Sequence, residues 1–283
     1  MASTPSVPLP LQQRLLQLAQ TLQFAWFFGH LTLLFSIIRY AYSYITLNYY
    51  SGIAIFSYRA AFVSAAATYG IVVYKAFRAR ARATGKQVTS PIAIAADENV
   101  QYLAMAIVWL WSSQYPLAML PFGVYSVFHV ATYIRTNLIP IFQTPSQADG
   151  TSSSKTATKP SATADTIGRF VKEYYDSSMG LVASLEIALW SRIFLSAIFF
   201  SKGSWALLVI YTVFLRARYA QSSFVQDQFR NLEARIDSLV GAQSTPLTAR
   251  QAWDTLKSGL KTFHDTTDVI RSAGRAPIQK KAS

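Results

Sequence analysis

Residues 53–86 read IAIFSYRAAFVSAAATYGIVVY and then KAFRARARATGK. The first part is apolar around the whole helical circumference except at Arg59, whereas a soluble surface helix keeps a polar face. The second part carries Lys75, Arg78, Arg80, Arg82 and Lys86. An apolar run long enough to cross a bilayer, closed by a basic cluster, reads as a membrane span with its cytosolic flank. Backbone groups in lipid must bond within the segment, which selects a helix. Ala60, Ala61, Ser64, Ala65, Ala66, Ala67 and Gly70 make the middle of this span small enough for another helix to approach closely.

Working outward, the same signature recurs. Residues 22–44 form a preceding span that contains His30 and Arg39 and ends in Tyr40, Tyr42 and Tyr44, with Tyr49 and Tyr50 just beyond, as an interfacial aromatic belt does. Ser51-Gly52 is the turn, so 22–74 is one hydrophobic hairpin. Ahead of it, residues 1–21 are an N-terminal segment with an amphipathic stripe of Leu11, Leu15, Leu18 and Leu22. Residues 100–134 form a second hairpin, split at Ser112-Ser113-Gln114-Tyr115-Pro116 into arms of roughly 17 residues. At 1.5 Å per residue each arm reaches about 25 Å, marginal for a hydrocarbon core of about 30 Å. Pro121 is expected to kink the second arm. The first membrane module is therefore 22–142.

Residues 143–165 are rich in Ser, Thr, Ala and Pro and read as a disordered linker. A second membrane module, 166–218, contains a hairpin at about 179–215 with a turn at Ser201-Lys202-Gly203-Ser204. The tail, 219–283, changes character. Val225, Phe229, Leu232, Ile236 and Leu239 are spaced 4, 3, 4, 3 and form one stripe of a helix stopped by Gly241. A further amphipathic helix is expected over 248–270, with Thr248 and Gln251 at capping-box spacing. Its apolar stripe includes Trp253, Leu256, Leu260 and Phe263, flanked by Lys257 and Lys261. This stripe suits a membrane surface, the preceding helix or a partner.

The fold class is thus all-α, a polytopic helical membrane protein built from hydrophobic hairpins with cytosolic amphipathic C-terminal helices. Composition agrees. The 283 residues are 52% hydrophobic and 14% charged, with the charges crowded between apolar blocks. The net charge of +13 belongs to cytosolic loops facing anionic lipid rather than to a nucleic-acid partner. The absence of cysteine excludes disulfides and thiolate chemistry. The basic 75–86 segment, read as a topology determinant rather than a nuclear targeting signal, places both termini in the cytosol. Lys202 is a minor exception. How many apolar arms cross fully is left open by their lengths.

The strings FAWFFGH (24–30), Tyr58-Arg59-Ala60-Ala61, Tyr69-Gly70 with Tyr74-Lys75, LPF (120–122), YSVFHV (125–130) and RTNLIP (135–140) resemble the transmembrane protein 33 family, which includes fungal pore-membrane proteins. The resemblance covers residues 22–142 and extends more loosely through the second module. It implies a protein of the endoplasmic reticulum membrane and nuclear envelope, with nuclear pore or tubule-shaping membrane proteins as partners besides the bilayer.

No Gly-rich phosphate loop, HExxH or Gly-x-Ser-x-Gly occurs, so no catalytic residue, metal site or cofactor is expected. His30 and His129 read as buried, hydrogen-bonded side chains. The intramembrane charges Arg59, Glu186 and Arg192 are costly in lipid and call for partners, an Arg59–Glu186 pair between modules being the expectation. Lys280 and Lys281 have the spacing of a dilysine retrieval signal. The function read from all this is a non-enzymatic scaffold that shapes membrane and supports nuclear pore organisation. The alternative is a small transporter or channel, which requires polar residues converging on a continuous cavity, where a scaffold has a dry interface.

Overall fold

The computed structural model describes residues 10–84, 91–142, 162–242 and 245–267. Every regular element among them is helical: α1 (Leu11–Ala19), α2 (Leu22–Ile45), α3 (Gly52–Thr84), α4 (Pro91–Ala95), α5 (Glu98–Trp111), α6 (Met119–Tyr133), α7 (Ile139–Phe142), α8 (Ala162–Ile198), α9 (Ser204–Gln221), α10 (Ser223–Val240) and α11 (Leu247–Thr267). A 3₁₀ turn, Pro116–Ala118, leads into α6, and a π-helical turn, Ile134–Leu138, joins α6 to α7. The chain divides into two compact units between Leu215 and Arg216, inside α9.

The all-α expectation holds. Among the described residues four helical stretches are long and apolar enough to cross a bilayer: Leu22–Ile45, Gly52–Arg82, Pro116–Phe142 and Ala162–Ile198. Thr21 starts α2 by accepting the Phe24 N–H at 3.1 Å, which satisfies one of the donors a helix start leaves open. The 33 residues of α3 and the 37 of α8 reach about 50 and 56 Å, well beyond a core of about 30 Å. Their surplus is polar. It carries Arg78, Arg80 and Arg82 on α3, and Asp165, Arg169, Lys172 and Glu173 on α8.

In the first unit α2, α3, α5, α6, α8 and the first part of α9 pack around an aromatic core. Trp109, Tyr58, Phe62 and Tyr211 are each under 3% exposed. Phe122 of α6 is met at near-right angles by Phe62, Tyr69 and Tyr102, with ring centroids 5.6–5.8 Å apart, the edge-to-face arrangement that aromatic quadrupoles favour. The small face of α3 is buried at Ala61, Ser64, Ala65 and Thr68. There α2 comes so near that a Cβ on Gly29 would stand 2.5 Å from Thr68 Cγ2. The turns at 46–51, 112–115 and 199–203 gather at one end of this unit. Tyr115 N–H donates to Tyr58 Oη at 3.1 Å, and the Arg192 guanidinium lies 6.0 Å over the Tyr115 ring. The basic stretch of α3 points the other way.

Several local expectations change. The second hairpin divides unequally: α5 has 14 residues, about 21 Å, whereas its partner arm is helical from Pro116 to Phe142. Pro121 falls in the first turn of α6, where its missing N–H is no loss, so it starts the helix instead of kinking it. Residues 162–165 belong to α8 and not to a linker, while the rest of 143–165 lies outside the described residues. α11 begins at Leu247, so Thr248 sits within its first turn and not ahead of it as a capping box requires. Ile270, Lys280 and Lys281 lie outside the described residues.

The α2–α3 contact yields a test. Gly29→Val should cost about 1–3 kcal/mol by overpacking, read as a lower melting temperature in detergent. Adding Thr68→Ala should recover part of the loss, and no recovery would mean that this contact does not set the helix spacing.

Candidate functional site

The intramembrane charges were the sequence's sharpest clue, and the structure gives each a different surrounding. Arg59 lies in the second turn of α3. Its Nη1 donates to the carbonyl of Trp109 at 3.1 Å and to that of Leu110, and its Nη2 donates to the carbonyl of Ser112 at 2.9 Å. The last carbonyls of a helix have no partner within it and carry partial negative charge. Arg59 therefore caps the C-terminus of α5 from the neighbouring helix. At the opposite end of α5, Asp97 accepts the Asn99 N–H at 3.0 Å and pairs with Arg80 of α3 at 3.0 Å. Two arginines of α3 thus hold both ends of the short α5.

Glu186 is 1% exposed in α8. It accepts from the Tyr102 hydroxyl of α5, and its backbone carbonyl accepts from Tyr211 Oη at 3.2 Å. The expected Arg59–Glu186 pair is not formed. Arg59 works at the level of residues 109–112, whereas Glu186 meets Tyr102, seven residues and about 10 Å deeper along α5. Arg192 donates to Ser196 Oγ one turn along its own helix. Among the described residues no carboxylate lies within ion-pair distance of Arg59 or Arg192.

The histidines form a third polar cluster, between α2 and α6. Ser126 Oγ donates to the Phe122 carbonyl at 2.8 Å and so accepts from His30 Nδ1 at 2.9 Å. Trp26 stacks edge-on against both His30 and His129, with centroids 4.6 and 4.9 Å away. No group of three metal-ligating side chains occurs among the described residues. The interior space lined by Tyr102, Trp109, Phe122, Glu186, Leu189 and Tyr211 measures about 10 Å³, room for at most one water.

In the second unit α10 and α11 meet through one carboxylate. Asp237 Oδ1 accepts from Trp253 Nε1 at 2.6 Å and from Lys257 Nζ at 2.8 Å. Lys257 first, and Trp253 second, hold the Asp237 carboxyl below its ordinary range, and Asp237 raises the Lys257 ammonium in turn. Leu256, Leu260 and Phe263 remain 47–55% exposed. Trp253 and Lys257 thus stand on the edge of the stripe turned to α10, and the other apolar residues of the stripe stay outside that contact. Lys261 is also exposed. The Asp237 contact was not readable from spacing, because Asp237 lies between the stripe positions Ile236 and Leu239 and looks like a solvated acid.

The sequence profile described as Transmembrane protein 33/Nucleoporin POM33 matches residues 10–263. Over 283 residues the chain is 53% identical to Nucleoporin POM33 of Chaetomium thermophilum, covering 99% of this chain and 98% of that protein. It is 30% identical to the Pore membrane protein of 33 kDa of Saccharomyces cerevisiae, covering 96% and 92%. With Tetra-spanning protein 1 of Schizosaccharomyces pombe it shares 31% identity, covering 90% and 88%. No solved structure matches.

The Arg59 cap makes a sharp prediction. Arg59→Met removes the donors to the Trp109, Leu110 and Ser112 carbonyls, at a cost of about 1–3 kcal/mol. Exchanging the charges, Arg59→Glu with Glu186→Arg, should give no recovery over the single variants. Recovery in detergent melting would reinstate a direct pair.

Proposed function

The chain belongs to the transmembrane protein 33/nucleoporin POM33 family, and from that premise we propose that it is a non-enzymatic, multi-pass protein of the endoplasmic reticulum membrane and nuclear envelope that scaffolds or shapes membrane and supports nuclear pore organisation. The observation that carries this reading is the match through residues 10–263, which takes in the hairpins, α10 and most of α11. Two relatives carry nucleoporin or pore membrane protein in their names. Pore or tubule-shaping membrane proteins are the partners this reading gives it. The space among Tyr102, Glu186 and Tyr211 is only about 10 Å³, which speaks against a transport pathway through that point, since a pathway needs a continuous polar cavity.

Orientation follows from charge. Lys75, Arg78, Arg80 and Arg82 crowd one end of α3, and the positive-inside bias puts that end in the cytosol. The turns at Ser51, Ser113 and Gly203 then face the lumen. Glycosylation acceptors placed at each should be modified, and an unmodified acceptor at Ser113 would mean that the α5–α6 hairpin stops short.

In this reading α11 touches the bilayer with Leu256, Leu260 and Phe263, with Lys261 near anionic headgroups and Lys257 held by Asp237 at the far edge of the stripe. Full burial of each apolar side chain contributes about 1.5–3 kcal/mol, less at an interface. Gly259 has open space around it, so Gly259→Ala should strengthen binding by up to about 1 kcal/mol through helix propensity. Vesicle flotation of a peptide spanning residues 245–283 measures both. Leu260→Asp with Phe263→Asp should abolish flotation, and in the full chain should reduce its enrichment at nuclear pores. Removing the whole protein should change pore number or spacing. An even distribution through the endoplasmic reticulum, with pores unaffected, would sink the pore role.

A further inference from the structure

At the turn end of the membrane unit lies a cavity of about 470 Å³, within the range of small-molecule sites. Its floor is the tip of the α5–α6 hairpin at Gln114 and Tyr115. One wall is the last part of α2, and the opposite side carries Arg192 of α8. The floor is low because α5 ends where Arg59 caps it. From Arg59 back to Gly52, α3 continues for about 10 Å, and from Arg192 to Ile198 α8 continues for about 9 Å. The flanking helices stand above the hairpin tip and leave a recess.

The chemistry of the recess is two-sided. Arg59 and Arg192 stand at similar distances from their helix ends, but they are not equivalent. Arg59 spends its donors on three carbonyls, whereas the hydrogen bond from Arg192 to Ser196 leaves most of its five N–H donors for other acceptors. Arg192 is exposed, no carboxylate lies within reach among the described residues, and its guanidinium lines the cavity. The walls are apolar at Ile37, Ala41 and Leu120, with the exposed ring of Tyr44 near the mouth. A guanidinium about 9 Å inside the end of a spanning helix sits near headgroup depth, where the abundant anion is phosphate. Its planar fork binds phosphate oxygens in pairs.

We propose that this cavity holds one membrane phospholipid, with its phosphate on Arg192 and an acyl chain along Ile37, Ala41 and Leu120. The inference rests on the chain's being embedded in a bilayer and is independent of any role at pores. The lipid fills the recess left by the short hairpin and supplies the counter-charge that no described residue supplies to Arg192.

The test uses the full chain purified in detergent and native mass spectrometry at limiting lipid. Dioleoylphosphatidylcholine should be retained as one tightly held adduct. Dioleoylglycerol, which lacks the phosphate, should be held at least tenfold more weakly. Arg192→Gln should weaken the phospholipid adduct at least tenfold, and Arg192→Lys less so. Ala41→Phe, which keeps Arg192 but fills the apolar wall, should also lose it, while Arg39→Gln, outside the cavity, should retain it. Melting in detergent identifies any variant that fails to fold, and the Ala41 and Lys variants keep the question decidable. Equal retention by wild type, Arg192→Gln and Ala41→Phe overturns the proposal. So does displacement of the adduct by millimolar inorganic phosphate, which would make this a site for free phosphate, and so does equal retention of dioleoylglycerol.

Discussion

The interaction on which the membrane unit depends is the grip of α3 on the two ends of α5. A helix in lipid keeps its internal hydrogen bonds but cannot hydrate its terminal carbonyls. α5 has only 14 residues, and the carbonyls at its end take their donors from protein. Arg59 provides them at Trp109, Leu110 and Ser112, and Arg80 answers Asp97 at the other end. Each charge meets the pole of opposite sign: the cation at the carbonyl end, and the acid with its own arginine at the amide end. The usual cost of an arginine in lipid is offset because the alternative is a set of unsatisfied carbonyls.

This grip sets the position of the elements that pack on α5 within the first unit. With α5 held against α3, Tyr115 N–H reaches Tyr58, and the chain turns through Pro116–Ala118 into α6. Phe122 then enters the ring formed by Phe62, Tyr69 and Tyr102, and Trp109 faces Tyr211 of α9 at 5.7 Å. Tyr102 carries the contact across to Glu186 of α8. The middle hairpin is therefore the wedge between the outer two. Its about 21 Å arm is shorter than a typical hydrocarbon core of about 27–30 Å. A bilayer meets such a mismatch by thinning locally or by letting polar groups dip inward. The recess over the hairpin tip, with Arg192 at its side, is where the second solution is built into the fold.

Hydropathy and helical period made the elements legible. The bounds of α2, the start of α3 and the Gly241 stop after α10 follow from patterns that act within one helix. The partner of Arg59 was not legible, because its acceptors are main-chain carbonyls, which every residue possesses and no sequence pattern marks. Glu186 looked like its natural partner by charge alone, but depth along the helices separates them. The unequal hairpin arms were missed for a related reason. Residues 116–142 look interrupted by Pro116, Pro121 and the Arg135-Thr136-Asn137 cluster, yet a 3₁₀ start and a π-helical turn absorb these without ending the helix. Likewise the Asp237–Trp253–Lys257 contact needs two helices placed side by side, a relation that single-helix periodicity does not hold.

That tail contact changes how the amphipathic stripe must be understood. A stripe buried wholly on α10 would leave nothing for lipid, and a stripe facing only lipid would leave Trp253 and Lys257 without fixed partners. The structure divides the work by angle around α11. At about 100° per residue, Trp253 and Lys257 stand on one edge, while Leu256, Leu260 and Phe263 fall on the adjoining sector. Asp237 occupies the first edge and leaves the second exposed. At this contact Asp237 of α10 takes the polar tips of Trp253 and Lys257, while Leu256, Leu260 and Phe263 stay 47–55% exposed. The hairpin can thus be assembled in water with its greasy sector still available, and the entropy of ordering α11 is partly met before it reaches any surface.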